Sequence, residues 1–553
     1  MRKFIAIVVI SLMSLTAMAT DYKDTLVVAL NGQTTYTSAI ISLASQNNGT
    51  YTLSLNNFIF IYNGTTTNLG TITFADCKAK ETDRGLLLEE NVKTTIEAGN
   101  ISGLRWKGPS YGELAFAMRA SLVGNKLQAV IDFTLPDSPQ KIFKLHFGEG
   151  YQLFNGSFET FKNANGIVVE EDGTYAEPEY WHSFISATGS YAGAAPKPYL
   201  SKDIRSGATN SSKSLLLKST SILGIVANGT ITNGRLNAGS MSATNTANHA
   251  EMNISNTAKD NSGHPFYALL KAQPDDITLW VKFKQGTANA NHPYATVTAT
   301  ITDGTYYQDP EDKVYTNIAA CAKNNKIATN GGAWQQLTIP FDYENYKSNN
   351  ADTKAIMITM STNADPGQGS KGDELYVDDV ELVFNYGINS VIFNGNSIEA
   401  SAYTGDNVPD YMSLYTATMT VDDTVAADDF IVETNAKQPL VSVEVVDADN
   451  FNDFEIANNA DQVVVITCFS ADLSKATKWL VFIENNRMPG DVNSDRKVDI
   501  SDVTALIDII LGKDNVRPYV YDHKAADVNS NGTTDISDVT ALIDIILGKK
   551  TEE

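Results

Sequence analysis

Residues 491–513 read DVNSDRKVDISDVTALIDIILGK, and nearly the same text returns 36 positions later, at residues 527–549, as DVNSNGTTDISDVTALIDIILGK. Only four of the 23 positions differ between the two copies. A repeat this close indicates two copies of one supersecondary unit, each too small to bury its apolar face alone. We therefore expect the copies to pack on each other as one small domain over residues 488–550.

Each copy opens with a loop in which positions 1, 3, 5, 9 and 12 carry Asp or Asn, and position 7 completes a ligand set. The residues at these six positions are Asp491, Asn493, Asp495, Lys497, Asp499 and Asp502 in the first loop, and Asp527, Asn529, Asn531, Thr533, Asp535 and Asp538 in the second. Hard oxygen ligands at alternate positions, closed by a carboxylate at position 12, are what a calcium loop needs. A solvated turn before a helix is the alternative, and the registered duplication argues against it.

A helix is expected after each loop, with an apolar face at i, i+3, i+4, i+7 and i+8. The residues of this predicted core face are Val503, Leu506, Ile507, Ile510 and Leu511, and then Val539, Leu542, Ile543, Ile546 and Leu547. Gly512 and Gly548 supply the helix stops. Ile509 and Ile545 lie off this face, so we expect the repeat to present two equivalent apolar points outward.

The duplicated loop and helix resemble a type I dockerin, and this resemblance implies a cohesin-like partner. Similar dockerins contact their cohesin at loop positions 10 and 11, which here are Ile500, Ser501, Ile536 and Ser537. The usual Ser-Thr type of pair is absent at these positions. Arg496 replaces the usual Gly at position 6 of the first loop, where a non-Gly residue strains the backbone. The first loop, however, has four carboxylates against three in the second, so we expect the first loop to bind calcium more tightly.

The whole chain has 553 residues, enough for three to five domains, and a formal net charge of -24. Such acidity argues against nucleic acid or an anionic membrane surface as the partner. Residues 1–19 form a predicted secretion signal, with a charged start, an apolar run too short for a transmembrane segment, and Ala17-Met18-Ala19 before the cleavage site. We expect a secreted or cell-surface protein, with the periplasm left open. The three cysteines fall in three predicted domains, which predicts free thiols rather than a disulfide framework.

Residues 21–150 alternate in short strands separated by turns, which suits a small closed β-barrel. The stretch TYTLSLNNFIFIY at Thr50–Tyr62 shifts its apolar phase at Asn56-Asn57. This stretch and GNKLQAVIDF resemble the calycin-like barrel domain of Bacteroidetes. A barrel of this size holds one small ligand or only a core, and the lack of a polar cluster favours a filled core.

Residues 151–386 combine short strands with long Gly/Asn/Ser/Thr loops, which is typical of a β-sandwich. The opening NGSFE and the closing YVDDVEL resemble a carbohydrate-binding jelly roll and, more narrowly, a Bacteroidetes domain named for a role in carbohydrate metabolism. In the jelly rolls the opening Glu and a closing Asp often share a structural calcium. That resemblance implies Glu159 and Asp379 (or Asp378) as ligands; two surface carboxylates at strand edges are the equal alternative.

Sugar recognition uses exposed aromatic faces with polar groups at the rim. An aromatic group in a loop-rich stretch is the candidate glycan platform, and its members are Tyr175, Tyr180, Trp181, Tyr191 and Tyr199. Trp280 and Trp334 lie in alternating apolar segments and are predicted to be core.

Residues 387–487 contain four or more strands separated by polar turns and suggest an immunoglobulin-like sandwich that acts as a spacer. The predicted fold class is therefore mostly all-β and multidomain, with a small helical calcium-binding module at the C-terminus. The predicted boundaries are 1–19, 21–150, 151–386, 387–487 and 488–550.

Catalysis has no motif in its support: there is no HExxH, phosphate loop or GxSxG elbow, and paired acidic residues arise by chance in an acidic chain. We therefore favour a non-catalytic modular protein that binds a polysaccharide and docks through calcium. One alternative is a glycoside hydrolase with its carboxylate pair in 151–386. Another is a structural or adhesion protein whose C-terminal repeat is a calcium-stabilised folding unit.

Overall fold

The computed structural model describes residues 19–62, 64–208, 211–422, 424–451, 453–456, 460–486, 488–519 and 521–549. The predicted secretion signal lies, except for Ala19, outside the described residues. The chain divides into two compact units. The first comprises the residues up to Asn389 with Glu433–Ser442 and Thr467–Thr477, and the second comprises Ser390–Val432, Val443–Ile466 and the residues from Lys478 onward.

The first eight strands form a closed antiparallel barrel in which the last strand pairs with the first. These strands are β1 Thr20–Leu30, β2 Gln33–Ser45, β3 Thr50–Tyr62, β4 Thr65–Glu81, β5 Leu86–Glu97, β6 Glu113–Val123, β7 Lys126–Leu135 and β8 Lys141–Phe147. Alternating residues point inward, and the interior is packed with aromatic and aliphatic side chains such as Phe60, Phe133 and Phe143. The predicted phase shift is confirmed, because the pairing of β3 with β4 slips at Asn56-Asn57, where Asn57 has φ 52°.

Eighteen further strands follow in the first unit. They are β9 Phe161–Lys162, β10 Val168–Val169, β11 Glu177–Pro178, β12 Tyr199–Ser201, β13 Ser214–Lys218, β14 Thr220–Ile222, β15 Ile225–Ala227, β16 Thr230–Thr232, β17 Arg235–Ala238, β18 Asn248–Met252, β19 Ala268–Leu269, β20 Asp276–Lys284, β21 Ala295–Thr302, β22 Tyr307–Asp309, β23 Ile318–Ile327, β24 Gln335–Pro340, β25 Ala355–Ser361 and β26 Glu374–Val383. They build the β-sandwich that the sequence predicts.

Two larger sheets share one core in this sandwich. One has the strand order β12-β13-β26-β20-β24, and the other has β16-β25-β21-β23 with β19 added at β25. Alternate residues of β20 and β26, among them Leu279, Val281 and Val377, are buried in this core. The opposite face of β20 and β26 is the outer face of the first sheet, and it carries Trp280, Lys282 and Tyr376.

The next eight strands are β27 Ile388–Phe393, β28 Asn396–Ser397, β29 Ser401–Tyr403, β30 Met412–Val421, β31 Phe430–Thr434, β32 Leu440–Asp447, β33 Gln462–Phe469 and β34 Ala476–Asn485. They form a three-stranded sheet, β28-β27-β31, and a five-stranded sheet, β29-β30-β34-β33-β32. Leu414, Val463 and Leu480 are buried together in a core of the second unit. The two sheets agree with the predicted strand-rich module.

Two α-helices end the chain, α1 Ile500–Ile510 and α2 Ile536–Ile546. Val503, Leu506, Val539 and Leu542 join in one small core, so the two repeats pack as a pair. In the described part of the chain, no helix is long and apolar enough to cross a membrane. The strands above and the two short helices α1 and α2 confirm a mostly all-β, multidomain fold with a small helical C-terminal module.

Candidate functional site

Two carboxylates of the first C-terminal loop, those of Asp491 and Asp502, are buried inside the loop. The backbone N–H groups of Asp495 and Arg496 donate to Asp491 Oδ1 and Oδ2, at 3.0 and 2.9 Å. Asp502 is fully buried, and its two oxygens accept from the N–H groups of Asn493 and Asp499 at 3.0 and 2.8 Å. The bond from Asp499 is half of a capping box that also starts α1. Loop and helix therefore form one preorganised unit.

The second loop repeats this geometry. Asp527 accepts from the N–H groups of Asn531 and Gly532 at 3.0 and 2.8 Å, and buried Asp538 accepts from those of Asn529 and Asp535 at 3.1 and 2.9 Å. The duplication in sequence is thus a duplication of loop structure. The remaining predicted ligands, Lys497 and Thr533, hold position 7, where a calcium loop uses the backbone carbonyl.

The electrostatics of the first loop fit a cation. Burial, together with the charges of Asp502 and Asp495, raises the pKa of Asp491 above its usual range. A divalent cation would offset this cost. Among the described residues, no group of three or more His, Cys, Asp or Glu side chains is arranged to hold a metal ion by itself. A calcium loop does not need such a group, because Asn side chains, backbone carbonyls and water supply other ligands.

The helices bury a narrower stripe than the sequence predicts. Val503 and Leu506 are buried, but Ile507, Ile510 and Leu511 are exposed, and Ala505 and Asp508 are buried instead. The reason is that polar side chains after α1 cover one flank of that helix. Asp508 accepts from Arg517 Nε at 2.7 Å and from Tyr521 Oη at 3.1 Å.

The expected symmetry of the two helices is also wrong. Ile509 packs against the small core, whereas Ile545 is 41% exposed. Ile500 and Ile536, the predicted partner-contact residues, are in contrast both 71% exposed. The repeat therefore presents its equivalent apolar points at the start of each helix rather than near its end.

The opening NGSFE segment of the sandwich, at residues 155–159, packs against Trp181 and helps to bury it. Phe158 is fully buried with φ 50° and packs edge-to-face on Trp181 at 5.3 Å between ring centroids. Trp181 is 1% exposed, and its Nε1 donates to the carbonyl oxygen of Phe154 at 3.2 Å. Trp181 is thus a core residue, and its assignment to a sugar platform is wrong.

The remaining predicted platform residues separate into three places. Tyr180 is half-buried, with its ring 4.7 Å from Phe154 and 3.8 Å from His264, and burial raises its pKa to about 12. Tyr191 is exposed beside β17, where its N–H donates to the carbonyl oxygen of Ala238. Tyr175 and Tyr199 lie together, with ring centroids 4.6 Å apart and hydroxyls 3.2 Å apart.

The Tyr175–Tyr199 pair belongs to a longer aromatic face on the outer side of the first sheet. Register runs from Tyr199 through Leu216 to Tyr376 and then to Lys282. The Trp334 and Tyr376 rings are 6.2 Å apart, and Lys282 Nζ lies 5.3 Å from the Trp334 ring. We call Tyr175, Tyr199, Tyr376 and Trp334 the sheet-face aromatic row; Tyr376 is its buried member, with Lys282 Nζ 4.2 Å from its ring.

The sequence predicted Trp334 and Trp280 as core residues, and both are instead half-buried on the outer face. Trp334 Nε1 donates to Asp203 Oδ1 at 3.3 Å. The alternation of apolar residues along β20 could have placed Trp280 correctly. Apolar Ile277, Leu279 and Val281 define the inward face of β20, so Trp280 and Lys282 must point outward.

A β-bulge on β26 places the predicted metal ligand Asp379. Thr278 pairs with Glu381 and Trp280 pairs with Asp378, so Asp379 and Val380 together oppose Leu279. Asp379 has φ 47°, and its Oδ2 accepts from Arg205 Nη2 at 2.7 Å and Nε at 3.0 Å. The structure pairs Asp379 with a guanidinium rather than with Glu159.

Glu159 is held by the loop before β13. Its carboxylate accepts from the N–H of Ser212 at 2.9 Å and from that of Lys213 at 3.2 Å. The alternative ligand Asp378 is fully buried and accepts from Ser211 Oγ at 3.0 Å. Burial, with the charge of Asp379 and a smaller effect of Glu159, raises the pKa of Asp378 to about 7.

Three segments of the chain match models of known families. Residues 18–148 match the family model described as calycin-like beta-barrel domain, residues 157–383 match that described as putative carbohydrate metabolism domain, and residues 489–547 match that described as dockerin type I domain. No curated protein matches the chain. Type I dockerin domains bind calcium as a family. The three matches thus follow one another along the chain in the order that the sequence predicts, from calycin-like barrel through carbohydrate-metabolism domain to type I dockerin.

Proposed function

We propose that this protein is exported, binds a polysaccharide on the outer face of its sandwich, and docks through its calcium loops to a cohesin-like partner. The observation that carries the glycan part is the Tyr175–Tyr199 pair on that face. Tyr175 is 57% exposed, and it stands at one end of the aromatic row that reaches Trp334. The match to a carbohydrate-metabolism domain over 157–383 supports a relation to polysaccharide without deciding between binding and catalysis.

The chemistry of the face suits a sugar chain. Aromatic rings offer apolar faces to the C–H side of a pyranose, and polar groups beside them take up the hydroxyls. Lys218 Nζ lies 5.3 Å from the centre of the Tyr199 ring and 2.8 Å from Glu374 Oε1. An ammonium group, a carboxylate and an aromatic ring are therefore close enough together to contact the same sugar residue. This combination supports a glycan face rather than an unspecific apolar patch.

Affinity measurements with a polysaccharide panel test the glycan face. Tyr175→Ala is expected to weaken binding at least tenfold without changing the melting temperature, because the side chain is exposed and packs only at the surface. Tyr191→Ala is the matched control: it removes another exposed tyrosine, beside β17 and outside the aromatic row, and should leave affinity unchanged. Equal loss in both variants, or loss in neither, would reject the assignment of the face.

The docking part rests on the dockerin match and the two preorganised loops. Exposed Ile500 and Ile536, with Ser501 and Ser537 beside them, are the proposed partner-contact residues. A pull-down against cohesin domains should recover a complex in calcium and lose it in chelator. The double variant Ile500→Ala/Ile536→Ala should also lose it while still binding calcium. Recovery of no partner in calcium would favour the structural or adhesion role.

Glycoside hydrolysis is the second candidate, because one carboxyl of the sandwich has the character of an acid catalyst. Glu381 lines a cleft, and burial, with the charges of Asp472 and Asp379, raises its pKa. Reducing sugar released from a polysaccharide panel, and abolished by Glu381→Gln, would establish hydrolysis. Binding without any release would leave the binding function alone.

A further inference from the structure

A second candidate site lies where the barrel meets the sandwich within the first compact unit. A cleft of about 500 Å³ opens there, which is within the range of small-molecule sites. Tyr36 and Glu149 line it from the barrel and the segment after it, and Arg205, Trp280, Gln336 and Glu381 line it from the sandwich. None of these residues belongs to the sheet-face aromatic row.

The sandwich wall of the cleft is held in place before any ligand arrives. The bulge at Asp379 turns this carboxylate to Arg205, whose guanidinium carbon lies 4.8 Å from the centre of the Trp280 ring. Arg205 is thus fixed by a charge on one side and a ring on the other. Thr278 and exposed Gln336 add a hydroxyl and an amide to the same wall.

The opposite wall is equally fixed. Tyr36 Oη accepts from the N–H of Asn155 at 2.6 Å, and the Tyr36 ring packs against Phe154 with centroids 4.6 Å apart. Lys271 Nζ bridges to Asp24 of the barrel at 2.9 Å near Glu149. These contacts tie the barrel to the opening segment of the sandwich, so the cleft has two rigid sides.

The charges in the cleft limit the kind of ligand that it can bind. Arg205 is the one Lys or Arg among the described lining residues, and Asp379 already neutralises it. Glu149 and Glu381 remain, and burial lowers the pKa of lining His146 so that it brings no positive charge. Burial and neighbouring carboxylates already raise the pKa of both glutamates, so a ligand carboxylate would add a further negative charge to a site without a free cation, which disfavours it. Hydroxyl groups, in contrast, can donate to both carboxylates.

The cleft also continues from the glycan face. Trp280 stands two residues before Lys282 on β20, and successive odd or even residues of a strand point to one side of the sheet. Lys282 lies beside Trp334 of the aromatic row. A sugar chain that lies along the row would therefore reach the cleft with its end.

We propose that this cleft is a second, separate sugar site that takes an uncharged sugar residue at a chain end and rejects uronate. It goes beyond the sheet-face site, since its lining residues and its charge differ from those of that site. Trp280, Gln336 and Thr278 contact the sugar, and Glu149 and Glu381 set the selectivity.

Calorimetric titration of the full chain with two kinds of hexasaccharide tests this proposal. Neutral hexasaccharides of glucose, mannose and xylose form one arm, and hexagalacturonate forms the other. At least one neutral probe should bind at least tenfold more tightly than hexagalacturonate. Gln336→Ala should weaken that neutral binding at least fivefold, and Glu149→Gln/Glu381→Gln should narrow the preference at least threefold.

The variants separate this site from the sheet face. Loss of affinity in Tyr175→Ala but none in Gln336→Ala would overturn the cleft and leave the sheet face standing. Loss in Gln336→Ala alone would overturn the sheet face and leave the cleft. Equal affinity for neutral and uronate probes, or no binding of any neutral probe, would overturn the cleft proposal outright.

Discussion

His264 shows how one residue couples a loop of the sandwich to pH. Its Nε2 lies 3.3 Å from Glu179 Oε1 and its Nδ1 lies 3.4 Å from Asp260 Oδ2, which also faces the buried His182 at 3.6 Å. Burial alone would lower the pKa of His264, but the two carboxylates outweigh it and raise the pKa. Lys162, at 2.6 Å, shares Glu179 with it.

A histidine whose pKa is raised in the folded state contributes its full stabilisation when the pH is below its pKa in the unfolded chain, about 6.5. This stabilisation is lost as the pH rises through the pKa of the folded state. We therefore expect His264→Gln to lower the melting temperature most near pH 6 and progressively less toward about pH 9. Melting curves of the wild type and the variant across this range provide the measurement, with exposed His523→Gln as the control. A difference that does not change with pH would contradict the prediction.

Arg496 sets a second residue-scale test. It stands in the left-handed region at φ 65°, where the second loop has Gly532 at φ 85°. The strain costs on the order of 1 kcal/mol, about a fivefold loss of affinity. The first loop has four carboxylates against three, and we expect this charge difference to outweigh the strain.

Separate titrations decide between charge and strain. Asp527→Ala leaves the first loop and Asp491→Ala leaves the second, so calorimetry on each gives one affinity. The first loop should be several-fold tighter, and Arg496→Gly should tighten it further. A second loop as tight as the first would show that strain prevails.

At the scale of elements, the bulged strand β26 and the segment before β9 depend on a close backbone approach. Val380 N–H donates to the carbonyl oxygen of Gly156 at 2.8 Å, and a Cβ at Gly156 would stand 2.1 Å from the carbonyl oxygen of Val380. The opening segment thus lies beside the last strand of the sandwich without being a strand itself. Any side chain at residue 156 must push it away.

Gly156→Ala is expected to destabilise the sandwich by about 1–3 kcal/mol, the usual cost of overpacking. Thermal unfolding measures the effect. Gly193→Ala is the matched control, because a Cβ at Gly193 meets nothing within 4 Å and should leave stability unchanged. Equal melting temperatures of the two variants would mean that the backbone yields more easily than its packing indicates.

At the scale of the whole molecule, the proposed functions fall on different compact units. The aromatic row and the cleft belong to the first unit, and the calcium loops belong to the second. Metal binding is coupled to folding in small loop-helix modules, because the unfolded chain has no preformed site. Removal of calcium should therefore act on the second unit.

We expect a chelator to abolish docking and to speed hydrogen exchange within residues 488–549 at least tenfold, while glycan affinity changes less than twofold. Hydrogen-exchange mass spectrometry and calorimetry on one preparation provide both readouts, and magnesium in place of calcium is the control. Weakened glycan binding in chelator would instead indicate a cation in the sandwich, for which Glu159 and Asp378 are the candidate ligands. Unchanged hydrogen exchange at residues 488–549 would show that the repeat folds without calcium.

The sequence by itself determined the features that depend on neighbours in the chain. The two loops, their capping Asp499 and Asp535, and the phase shift at Asn56-Asn57 follow from local spacing and local hydrogen bonds. The strand-rich modules and their order also follow from alternation and turn residues. These signals act over a few residues, so they survive without knowledge of the fold.

Only the tertiary structure decided which side chains meet across the sheets. Tyr175 and Tyr199 are 24 positions apart and Trp334 is far from both, yet strand order brings them to one face, while Trp181 is drawn into the core by Phe158. The bulge that gives Asp379 to Arg205 depends on the register of β20 with β26, which no local pattern encodes. Burial of Asp508 by Arg517 and Tyr521 likewise overrode the apolar period of α1. Long-range packing sets exposure, and exposure sets what each residue can bind.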